Sequence, residues 1–154
     1  MKISRLLFAA ASAAALGGVA HAGEYAPRAP LLPTYLQECG ACHVAFPPGM
    51  LPAASWRRLM GQLDRHFGTD ASLDPAMTAA LAAWIDASTG GYKRARDEPP
   101  QDRISRSAWF EREHREVGAA TWKLPAVKSA ANCAACHTQA TQGDFSEHRI
   151  RTPR

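Results

Sequence analysis

The chain has 154 residues, with 18 Lys and Arg against 14 Asp and Glu, six His and 46% apolar residues. That length suits a single domain. The formal charge of +4 does not point to nucleic acid, because no Lys/Arg run with interleaved aromatics is present. Beyond the N-terminal region no stretch approaches the roughly 20 apolar residues that a membrane span needs.

Met1 to Ala22 reads as a signal peptide. Lys2 and Arg5 form a basic start, Leu6 to Ala20 an apolar Ala-rich run, and Ala20-His21-Ala22 a small-x-small cleavage site before Gly23. The expected mature chain, residues 23–154, is then exported and soluble. In a bacterium that places it in the periplasm.

Pro33 to Phe46 contains Cys39-Gly40-Ala41-Cys42-His43, predicted on a short helix that stops at Pro47-Pro48-Gly49. Ser55 reads as an N-cap. Trp56, Leu59, Met60, Leu63 and Phe67 follow at helical spacing, with Gly68 as the stop. Asp74-Pro75 starts another helix, Pro75 to about Ser88, ended by Gly90-Gly91. The polar stretch around Pro99-Pro100 reads as a surface linker, about 91–104, between halves of about 30–90 and 105–145. Ser107 caps a predicted helix to about Val117, with Phe110, His114 and Val117 on its apolar face. A last helix, about Ser129 to Gln139, carries Cys133-Ala134-Ala135-Cys136-His137, and Asp144 to Arg154 is a polar tail without a period. Both Cys-x-x-Cys-His motifs are haem-c attachment signatures, so the fold class is mainly α, a small two-haem cytochrome c with haem-packed helices and long loops. The larger apolar residues are scattered, so two haems would supply much of the core and the haem-free chain is expected to fold poorly.

The two Cys-x-x-Cys-His pentapeptides use every cysteine and carry the chemistry. Cys39, Cys42, Cys133 and Cys136 fit covalent attachment of two haem c groups, with His43 and His137 as proximal iron ligands. Disulfides, zinc knuckles and thioredoxin-like pairs explain less. None of them needs a histidine after both pairs, and Cys42 lies far further from Cys133 than the roughly 15–20 residues typical of paired zinc knuckles. Once Lys2 and Arg5 are lost the net charge falls to +2, and ionised haem propionates bring it close to neutral.

His66 and His114 fall on apolar faces and are the candidates for the sixth positions; a histidine there is otherwise a hydrogen-bonded core residue. Met50, Met60 and Met77 are the sulfur rivals, read mainly as packing. His148 lies in the polar tail and reads as exposed. The intervals from His43 to His66 and from His114 to His137 are equal. The simplest scheme pairs them in that order, and a crossed scheme is also compatible with the sequence. Arg65 and Arg115 adjoin the distal candidates and would screen propionates, or simply lie on solvated helix faces.

Glu38-Cys39-Gly40-Ala41-Cys42-His43-Val44-Ala45-Phe46-Pro47-Pro48, then Leu51-Pro52-Ala53-Ala54-Ser55-Trp56, His66-Phe67-Gly68 and Asp70-Ala71-Ser72-Leu73, resemble the bacterial dihaem cytochrome c family. That family includes the redox partner of the sphaeroides haem protein. Trp109-Phe110 with His114, Asn132 to His137, and Gly143-Asp144-Phe145 resemble its second half. The resemblance implies a periplasmic, non-enzymatic electron carrier with two bis-histidine, low-spin haems on His43, His66, His114 and His137. It also implies a sphaeroides-haem-protein-like cytochrome as acceptor and a membrane cytochrome b as donor. The carrier is expected to be a monomer. The competing readings are a peroxidase or reductase with one open haem, and a small dihaem subunit of a larger periplasmic reductase.

Overall fold

Proline opens the first helix, α1, Pro33–Cys39, because its fixed φ suits the first helical position. A computed structural model describes residues 30–89 and 95–153. The expected signal peptide and the Gly90-Gly91 stop lie outside these residues. Leu31–Arg154 groups into one compact unit. The structure is mainly α, with short 3-10 turns between helices and only two isolated bridges, His66 to Thr69 and His137 to Ile150, among the described residues. No helix of the described residues is long and apolar enough to cross a membrane.

α1 ends at Gly40, inside the first cysteine motif. A Cβ at that position would lie 2.2 Å from the Leu36 carbonyl oxygen, so any side chain there would force the helix end apart. The helix stops short of the predicted Phe46. Cys42 and His43 lie on the turn that follows.

α2, Ala53–Met60, is shorter than its apolar period suggests. Its N-cap is Pro52, and Ser55 is a fully buried residue inside the helix rather than its cap. The helix closes at Gly61, a 3-10 turn follows over Leu63–Arg65, and His66 stands in extended backbone just beyond it. The apolar period continues past Gly61 while the helix does not. Phe67 (φ 52°) and Gly68 (φ 96°) then turn the chain back.

α3, Pro75–Ser88, matches its expected span. Asp74 caps it by accepting a bond from the Met77 amide at 2.9 Å. α3 packs on α2, and the shared core holds Tyr35, Ala45, Leu51, Trp56, Met60, Leu81 and Ile85. Leu81 and Ile85 are each 1% exposed, and burying such a side chain contributes about 1.5–3 kcal/mol. The polar tips are satisfied: Tyr35 donates to the Phe46 carbonyl and Trp56 Nε1 to the Pro48 carbonyl, both at 2.6 Å.

The described part of the linker, from Ala95, is anchored to this core. Ala95 and Pro99 are buried, and Arg58 of α2 bonds both Glu98 and Asp102. Ser107 then caps α4, Ala108–Glu113, as expected, accepting from the Phe110 amide at 3.2 Å. α4 ends at His114, before the predicted Val117, and Gly118 starts α5, Ala119–Trp122. Trp109 Nε1 reaches back to the Met50 carbonyl at 3.3 Å.

The predicted final helix does not form. The second motif sits on 3-10 turns, Cys133–Ala135 and Ala140–Gln142. The tail is ordered by hydrogen bonds instead of trailing freely. The Arg151 amide donates to the Cys136 carbonyl at 2.9 Å, and Thr138 Oγ1 to the Arg149 carbonyl at 3.1 Å. Arg149 also bonds Gln139 and Asp144. These residues strap the back of the second motif. Buried apolar groups are scarcer here, chiefly Phe110, Val127 and Ala140.

Candidate functional site

Two histidine pairs form. The 3-10 turn over Leu63–Arg65 brings His66 to His43, with ring centroids 6.1 Å apart. The end of α4 brings His114 to His137, also at 6.1 Å. Two imidazoles on opposite sides of one metal ion, each bonded through one nitrogen at roughly 2 Å, hold their centroids roughly 6 Å apart.

Each pair has one anchored ring. His43 Nδ1 lies 2.7 Å from the Val44 carbonyl and His114 Nδ1 2.8 Å from the Phe110 carbonyl. A carbonyl only accepts, so both Nδ1 atoms carry the proton and Nε2 keeps its lone pair for a metal. His66 Nδ1 and His137 Nδ1 are buried without a hydrogen-bond partner. Such a group costs about 1–3 kcal/mol when nothing compensates it. Burial, and then the facing imidazole, lower the pKa of both His66 and His137, with Asp144 partly opposing this at His137. Both rings therefore favour the neutral form that coordinates iron.

None of the four cysteines is in a disulfide. Burial, with a smaller push from Glu38, raises the Cys39 thiol to about 11; burial also raises Cys133 to about 11. Among the described residues no group of three or more His, Cys, Asp or Glu side chains could hold a metal ion. Each site instead offers two facing imidazoles as iron donors and two cysteine thiols as attachment points. This fits a haem, whose four pyrrole nitrogens complete the iron's coordination and whose vinyl groups take the thiols.

The other candidates lie elsewhere. Met50 and Met60 are buried, Met60 in the helical core, and Met77 packs against that core. His148 is exposed and joins neither pair. Arg65 and Arg115 are exposed, and Arg65 pairs with Asp64 at 3.4 Å. Sequence reading missed the Val44 and Phe110 carbonyls, since any residue offers one. It also missed Trp122, whose ring lies 5.9 Å from His114.

The dihaem cytochrome c family matches residues 35–145, a span that includes both motifs and all four paired histidines. The chain belongs to the dihaem cytochrome c family. Solved structures agree with this dihaem cytochrome c. A diheme cytochrome c from Rhodobacter sphaeroides is 41% identical, with a TM-score of 0.66 over 73% of this chain and 95% of that one. A diheme cytochrome type c from Shewanella baltica is 35% identical, with a TM-score of 0.68 over 79% and 92%. A second Rhodobacter sphaeroides structure is 38% identical, with a TM-score of 0.60 over 73% and 96%. No curated protein matches the chain. Membership implies two covalently attached c-type haems in an electron-transfer protein of a typically non-catalytic family.

Proposed function

We propose that this dihaem cytochrome c is a periplasmic electron carrier in which both irons are low-spin and bis-histidine ligated. His43 and His66 serve the first haem and His114 and His137 the second. Cys39 with Cys42, and Cys133 with Cys136, form the thioether links. The observation that carries the reading is the pair of 6.1 Å imidazole spacings, one beside each cysteine motif.

Each bound haem supplies a one-electron iron couple. The chain's own residues do the rest. The Val44 and Phe110 carbonyls hold the Nδ1 protons of His43 and His114, which orients each ring and strengthens it as a donor. With histidine rather than methionine as the second protein ligand, a bound haem would have a comparatively low potential at both sites. An imidazole pair at each site would leave a bound haem no open iron position for substrate or oxygen, which argues against a peroxidase or reductase. Residues 1–22 act as the export signal and the mature chain starts at Gly23. The acceptor is a haem protein akin to the sphaeroides haem protein, a membrane cytochrome b is the donor, and docking is brief, through a small interface.

The test is the absorption spectrum of the reduced holoprotein before and after carbon monoxide. An unchanged spectrum supports two filled irons. A shift of about half the haem would show one iron open and sink the carrier reading in favour of an enzyme. Mass spectrometry of the periplasmic fraction should find a chain beginning at Gly23 with two haems attached.

A further inference from the structure

The two histidine pairs share a spacing but not an orientation. The His43 and His66 ring planes are 20° apart, whereas those of His114 and His137 are 72° apart. The difference has a local cause. His43 is fixed by the Val44 carbonyl and lies over Phe46 at 5.1 Å and 25°. His114 is fixed more tightly. Its Nδ1 bonds the Phe110 carbonyl, and its ring stacks on the Phe110 ring at 4.0 Å and 20°, with Trp122 behind at 5.9 Å. Phe110 is 6% exposed and held by the Ser107 cap, so it offers a rigid plane.

We infer that Phe110 is a positioning residue that sets the His114 ring across that of His137, making the two ferric irons electronically distinct: aligned imidazoles at the first site, crossed at the second. This rests on the ligand assignment proposed above. A planar imidazole donates π density into the iron d orbital that lies perpendicular to its ring. Two aligned rings load the same orbital and split it from its partner. Two crossed rings load one orbital each and leave the pair nearly degenerate. The unpaired electron of the crossed ferric centre then keeps more orbital angular momentum, and its magnetic response becomes strongly anisotropic.

Low-temperature electron paramagnetic resonance of the oxidised holoprotein tests this. Two low-spin signals of equal weight are expected, one a rhombic three-line spectrum and the other a single, strongly anisotropic low-field line. Two rhombic signals would overturn the crossed arrangement while leaving bis-histidine ligation intact. A high-spin ferric signal would overturn the ligand assignment and this inference with it. In Phe110→Leu the backbone carbonyl is kept and the ring plane lost, so the anisotropic line should shift toward the rhombic form while the first signal stays put. An unchanged anisotropic line would remove Phe110 from the role. Phe110→Met, which keeps apolar volume without a flat ring, gives the same reading should Phe110→Leu fail to accumulate, and the wild-type spectrum needs no variant.

Discussion

Arg58 grips Asp102 with two nitrogens, Nε at 2.9 Å from Oδ2 and Nη2 at 2.6 Å from Oδ1. The same Nη2 donates to Glu98 at 2.6 Å. This fork ties α2 to the turns that lead into α4, and so joins the segment before His66 to the segment before His114. Its hydrogen bonds hold the Asp102 carboxyl below the usual carboxylate range. A carboxyl with a lowered folded pKa binds fewer protons folded than unfolded. Its stabilisation is complete above its ordinary pKa of about 3.9 and fades as pH falls further. Asp102→Asn should therefore be less stable than wild type at pH 7, with the difference closing in strong acid. Thermal unfolding across pH 2 to 7, followed by circular dichroism, checks this. A gap that stays constant would mean the fork contributes no charge-dependent stability.

Trp56→Phe keeps most of the packing and removes the bond from Nε1 to the buried Pro48 carbonyl. The Pro48 carbonyl keeps only the long bond from the Leu51 amide at 3.4 Å, so losing the indole bond should cost about 1 kcal/mol. The shift of the urea midpoint measures it. A neutral substitution would indicate that water or another donor replaces the indole.

Ser107→Ala removes the cap of α4 and should cost about 1 kcal/mol. The effect on the haem should be confined to the site served by α4, since His114 ends that helix. Resonance Raman bands of the two haems, compared with Ser107→Thr, separate the two sites. Equal disturbance at both would contradict a local role.

The halves should differ in their need for haem. The described core of buried apolar side chains lies around α1, α2 and α3, whereas the second motif is built from turns. Loss of the second haem in Cys133→Ala/Cys136→Ala should leave α2 and α3 protected in hydrogen exchange and expose residues around 119–150. Loss of the first haem in Cys39→Ala/Cys42→Ala should spare more helix than a simple halving suggests. Global loss of protection in both variants would show one cooperative unit.

His148→Ala should leave the absorption spectrum unchanged and shift stability by no more than about 0.5 kcal/mol, as for an ordinary exposed side chain. A spectral change at either haem would give His148 a part in ligation.

The parts legible in the sequence were those governed by a local rule. Asp74-Pro75 and Ser107 mark helix starts because capping needs only neighbouring residues, and both caps form. The fold class follows from such signals. Other elements depended on distant partners. The Ala-rich run after Ser129 has the composition of a helix, yet the Cys136 carbonyl accepts from Arg151, and the Ala140 amide turns to the His137 carbonyl instead. The α2 period misled for a related reason: Leu63 and Phe67 keep the apolar spacing while Gly61 ends the helix. His66 is thus presented by a turn, not by the helix face that first drew attention to it. The pairing of histidines followed chain order, but the ring angles rest on stacking that no spacing rule encodes.

The strap formed by residues 149–151 turns the second motif into a loop fastened at both ends. The Arg151 amide holds the Cys136 carbonyl, and Arg149 holds Gln139 and Asp144. Each bond lowers the entropy cost of forming the next, because the ends are already close. The strap thus works as one latch, and loss of any one of its contacts weakens the others.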